Sequence, residues 1–224
     1  MSLPPSQLTH AALKARQREI RDGFPENLAL RVHRALSWLG RSEEEADDPD
    51  VKFILLWVGF NAAYASEIDV KSSPARQAFD HYFEVLVMLD GSQSLYSAVW
   101  NRFSQEIRLL LQNQYVFEPF WAHQNGVPGN ENHAERLKKA MATVNTAMAE
   151  RNTSKLLSVL FDRLYVLRNQ VVHGGATWNS QVNRDQLRDG VAVLSTLLPI
   201  FISIMMDHPT RDWGRPFYPV VREL

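Results

Sequence analysis

Cysteine is missing from the 224 residues, which excludes disulfides, thiolate metal sites and cysteine nucleophiles. An excess of charge of one sign is missing as well: 24 Lys and Arg face 25 Asp and Glu, a formal net charge of -1. No global field therefore steers the protein toward nucleic acid or an anionic membrane, and any polyanion site has to be local. The opening MSLPPSQLTHAALKARQREI lacks the apolar core of a secretion signal, so a reducing, cytoplasmic setting is expected. The longest apolar stretch, Val191 to Met206, is interrupted by Ser195, Thr196, Pro199 and Ser203. It falls short of the ~18 uninterrupted residues that a spanning helix needs, which predicts a core helix and no membrane partner. Strand-type alternation, internal repeats and a glycine-rich phosphate loop are also lacking. His, Asp and Glu do not cluster at metal-ligand spacing, so neither a metal nor another cofactor is expected.

What is present is helical periodicity on a composition that is 45% hydrophobic, ample for the core of one domain. We expect a single all-α unit over 1–224, with an N-terminal arm or helix over 1–25 and an extended tail over 207–224. In LALRVHRALSWLG, Leu28, Val32, Ala35, Leu36 and Leu39 share one face, Arg31 and Arg34 lie off it, and Gly40 is placed to end the helix. RSEEEADDPD has consecutive carboxylates, the pattern of a solvated loop and not of a cation site. Val51 to Ala65, VKFILLWVGFNAAYA, is apolar nearly all round and must be buried on most sides; Asn61 is its one strongly polar side chain.

Pro74 suits a helix first turn ahead of Phe79, Phe83, Leu86 and Leu89. Another helix is expected over Tyr96 to Leu111, and the stretch YVFEPFWAHQNGVPGNEN as the one long irregular connection. Leu137, Met141, Val144 and Met148 mark the next helix. Thr153 or Ser154 is expected to cap the one after it, and Asn183 with Gln186 reads as a capping box for a last long helix that Pro199 should kink or break.

The stretch LRNQVVHGGATW, Leu167 to Trp178, is where a functional site is expected. At ~100° per residue, Leu157, Leu160, Leu164, Leu167 and Val171 form one stripe, while Asp162, Asn169 and His173 fall opposite it and Arg168 lies at the margin. Gly174 and Gly175 are natural helix terminators, so His173 belongs to the negative end of the helix dipole. A histidine exchanges protons near neutrality, and an arginine beside it grips a phosphate oxygen with its fork. Those parts suit RNA cleavage without metal: a base for the 2′-hydroxyl, an acid for the leaving 5′-oxygen and a cation for the charge between them. One histidine is one proton carrier short, which a two-fold dimer would supply. The apolar Tyr165, Val166 and Val172 near His173 suit such a contact. The same three polar residues can equally cap and solubilise a helix end, and spacing alone does not separate the two readings.

RNQVVHGG resembles the Arg-polar-x-x-x-His signature of the HEPN superfamily (higher eukaryotes and prokaryotes nucleotide-binding). FILLWVGFNAAYA together with LRNQVVHGGATWNSQVNRDQLRDG is similar to the bacterial Apea-like HEPN group, over Val51 to about Tyr64 and about Phe161 to Val221. The resemblance implies a HEPN-like up-and-down helical bundle with flanking helices that dimerises with its two motifs facing. Such proteins are often metal-independent endoribonucleases in toxin-antitoxin, phage-defence or RNA-processing systems, some held silent by a cognate antitoxin or nucleotidyltransferase-like partner. Others are non-catalytic modules that bind RNA, nucleotides or a protein partner. By resemblance Arg168 would bind the scissile phosphate, His173 would move the proton and Asn169 would orient one of them or the ribose. Asn61, Arg163, Trp178 and Arg184 are candidates for substrate contact, each with a competing structural role: bracing a loop for Asn61, surface pairing for the arginines, and packing for Trp178.

Overall fold

The computed structural model describes residues 8–65 and 75–220, the side chains of 75–78 excepted. Among the described residues the chain forms ten α-helices and no strand: α1 His10–Ile20, α2 Glu26–Glu44, α3 Pro49–Tyr64, α4 Ala75–Leu89, α5 Ser94–Ser97, α6 Ser104–Gln112, α7 Glu118–Gln124, α8 His133–Ala149, α9 Thr153–Val172 and α10 Arg184–Asp207. The all-α expectation is met. Pro74 lies outside the described residues.

The most extensive contacts join α2 to α3, α3 to α10 and α4 to α9. These helices meet at an aromatic centre in which Phe161 of α9 lies 4.4 Å from Phe60 and 4.8 Å from Phe83, ring centre to ring centre. All three are buried, so both α3 and α9, which carry the two stretches of the resemblance, are anchored in the same core. Close packing of this kind leaves little freedom for their relative position. In α10, 72% of the most apolar 18-residue window is buried inside the fold, as expected of a core helix.

Several expectations need correction. Gly40 does not end α2, which runs on to Glu44. A Cβ there would stand 2.9 Å from the His10 ring, so the glycine permits α1 to approach α2. Arg31 is not off the buried face but fully buried. Its guanidinium donates to the carbonyls of Ala63, Gly214 and Arg215, and Arg34 donates to Tyr218 O. The prolyl tail, which cannot form a helix, is thereby held extended along α2.

The helix expected over Tyr96 to Leu111 is divided: a π turn, Ala98–Arg102, follows α5, and Phe103 precedes α6. The 115–132 connection contains α7, whose Pro119 sits in the first turn where its missing N–H costs nothing. Asn152, not Thr153 or Ser154, caps α9 by accepting from Lys155 N–H, and Thr153 Oγ1 instead accepts from Trp100. Asn183 has a left-handed backbone and forms no side-chain cap. Pro199 does not break α10; Leu197 to Met206 are buried around it, and that packing outweighs one lost backbone bond. The acidic segment is only partly a wet loop, because Arg41 to Glu44 extend α2 and Asp48 caps α3 through Val51 N–H at 3.0 Å.

Candidate functional site

Leu157, Leu160, Leu164 and Leu167 are fully buried and fix the rotation of α9 about its axis. At its C-terminus the His173 N–H donates to Asn169 O at 2.9 Å, Gly174 takes φ +71, and the Gly175 N–H returns to Gln170 O at 2.7 Å. This bond closes the six-residue terminating turn that a left-handed residue makes available. A Cβ on Gly175 would lie 3.1 Å from Gln170 O. Both glycines are therefore explained by the helix end, and their consequence is that His173 stands exposed at the carbonyl pole of α9.

Arg168 is half-buried on the preceding turn, and its Nη1 donates to Asn169 Oδ1 at 2.9 Å. Its Nε is buried without a hydrogen-bond partner among the described residues. Asn169 thus orients Arg168 through its side-chain oxygen, while its main-chain carbonyl makes the ordinary last-turn helix bond to the His173 N–H. A guanidinium held by one amide oxygen keeps other N–H groups to offer an anion.

The loop after α9 is fastened to the start of α3. Trp178 is 72% exposed yet donates through Nε1 to Asp48 Oδ2 at 2.6 Å. Partial burial pushes the Asp48 carboxyl up, but hydrogen bonds from Val51, Trp178 and Asp50, with the nearby Arg184 charge, outweigh it and hold the group below its ordinary range. Arg184 forms an ion pair with Asp50 at 2.8 Å and donates twice to Ser180 O, so its guanidinium serves the loop. Arg163 is not on the surface: it is 3% exposed, with its guanidinium 4.4 Å from the centre of the Phe117 ring. Asn61 is half-buried on α3. Arg188 is paired with Asp185 and Asp189.

Two features were not read from the sequence. Gln170 joins the loop ends, donating to Tyr115 O and accepting from Asn183 Nδ2; its position between Asn169 and Val171 was the only signal. The second is a cleft of about 760 Å³ between α9 and the α7–α8 segment, lined by Asp162, Tyr165 and Asn169 but not by Arg168 or His173. The polar face of α9 is thus divided, Asp162 and Asn169 turning to the cleft and His173 to the helix end. Among the described residues no three His, Asp or Glu side chains lie together as a metal site requires. No family model, curated protein or solved structure matches the chain.

Proposed function

We propose that the chain is a metal-independent endoribonuclease of HEPN type that cuts RNA at a site composed from two copies. The observation that carries this reading is that Arg168, bound to Asn169 at 2.9 Å, and the exposed His173 stand within a turn and a half of each other at the end of one helix. In the reaction the 2′-hydroxyl loses its proton to one His173, O2′ bonds to phosphorus, and the P–O5′ bond breaks as the second copy's equivalent histidine protonates the leaving oxygen. The products are a 2′,3′-cyclic phosphate and a 5′-hydroxyl. Arg168 faces the charge gathered on the non-bridging oxygens. Val172, 47% exposed beside His173, supports a contact with a second chain, whereas Tyr165 and Val166, expected in that contact, line the cleft instead.

A non-catalytic module of the same family, binding RNA, a nucleotide or a protein partner in a toxin-antitoxin or defence system, is the second reading. The pairing of Trp178 with Asp48, of Arg184 with Asp50 and of Arg168 with Asn169 favours it, since groups already bound within the chain are less free to take a phosphodiester. The deciding assay is cleavage of labelled single-stranded and structured RNA in excess EDTA. Wild type cuts, while folded His173→Ala and Arg168→Ala do not; an equally inert set across a broad range of RNAs overturns the enzyme in favour of the module.

A further inference from the structure

The cleft beside Asn169 takes no part in the chemistry above. Lys139 of α8 and Lys155 of α9 line it, beside Arg136 and Arg163 and the carboxylates Glu118 and Asp162, so that cations outnumber acids in the lining; both lysines are exposed, and neither has an ion-pair partner among the described residues. Asp80 of α4 lines it too, and its Oδ1 is buried without a hydrogen-bond donor. Tyr165, with its ring packed toward Trp57 at 6.1 Å, presents an apolar wall.

Each feature selects part of a ligand. Two uncommitted ammonium groups call for an anion such as a phosphate. A buried acceptor with no donor calls for an N–H or O–H and rejects a second anion. A half-exposed aromatic ring calls for a flat face, and about 760 Å³ is a volume that holds a nucleotide. Asn169 lines the cleft and also binds Arg168, so a strand seated in the cleft continues directly to the motif.

Resting on the ribonuclease reading, we propose that this cleft seats one unpaired nucleotide of the RNA strand next to the bond that is cut. Lys139 and Lys155 hold its phosphate, Tyr165 stacks on the base, and Asp80 accepts from a base amino group. A base engaged in a duplex cannot enter, so the cleft selects unpaired segments.

The test is binding of a labelled 2′-O-methyl oligoribonucleotide of mixed sequence, which cannot be cut by 2′-hydroxyl attack. Fluorescence anisotropy is read for wild type, Lys139→Glu, Lys155→Glu and Lys138→Glu, the last an exposed control on the same helix outside the cleft lining. Each cleft reversal weakens binding about tenfold and the control by no more than about twofold, and annealing a complementary strand weakens wild-type binding. Equal affinity in all four proteins overturns the assignment, as does an equal loss in the control. Saturation by AMP, CMP, GMP or UMP without competition from the oligonucleotide overturns the strand in favour of a free nucleotide. Cleavage of unmodified RNA, run in parallel, separates the two claims: lysine-dependent binding without cleavage keeps the cleft and removes the ribonuclease, and cleavage with lysine-independent binding does the reverse.

Discussion

At the scale of single residues, His173 and Asn169 differ in what their removal takes away. His173→Ala removes the proton carrier and should lower cleavage by at least about 100-fold, whereas Asn169→Ala frees Arg168 without deleting it and should cost roughly tenfold. Single-turnover rates on one RNA distinguish these from a uniform loss. Arg31→Ala strips a buried guanidinium from three carbonyls and should cost about 3 kcal/mol. Thermal unfolding measures that loss, and limited proteolysis after residue 213 should show the tail released. The placement of Arg168, Asn169 and His173 together at a helix end was legible because Gly174 and Gly175 mark where the helix stops. Arg31 and Arg163 were not, because a helical wheel places a long charged side chain at the margin and cannot tell that carbonyls or an aromatic ring await its head inside. Gln170 was illegible for a related reason: its partners, Tyr115 and Asn183, are brought to it only by the tertiary fold.

Among the elements, the end of α9 and the loop beyond it set where His173 stands. Gly174 has φ +71, so Gly174→Ala should lose about 1–2 kcal/mol through backbone strain. Cleavage should fall further than stability alone explains, because the terminating turn shifts; comparing activity below the unfolding transition separates the two. The Trp178–Asp48 bond makes loop attachment depend on pH. Since the folded Asp48 carboxyl titrates below its ordinary 3.8, its contribution is fully present above that value and is lost as pH falls through the lower folded value. Trp178→Phe should therefore unfold at lower temperature than wild type near pH 7, with the gap shrinking as pH falls below 3.8. The helices α2, α4, α8 and α9 were legible from their apolar period, and α3 and α10 from their long apolar runs. Their ends were less so: Asn152 caps where Thr153 and Ser154 offer similar hydroxyls, and the break at Phe103 follows from a π turn that no apolar spacing marks.

For the whole molecule, the all-α architecture was legible because nearly every apolar run has helical spacing. The cleft was not, since Asp80, Lys139 and Lys155 come from three different helices and share no local pattern. A composite site makes each copy depend on the other. If both histidines act at one bond, adding an equal amount of His173→Ala chain and allowing exchange should reduce wild-type cleavage to about half, and self-sufficient copies would show no reduction. The most direct test of the account is the terminal chemistry of the RNA fragments made in excess EDTA, read by mass spectrometry. The account predicts a 2′,3′-cyclic phosphate opposite a 5′-hydroxyl, made by wild type and absent with His173→Ala. Fragments ending in a 3′-hydroxyl, or the same fragments from both proteins, would contradict it.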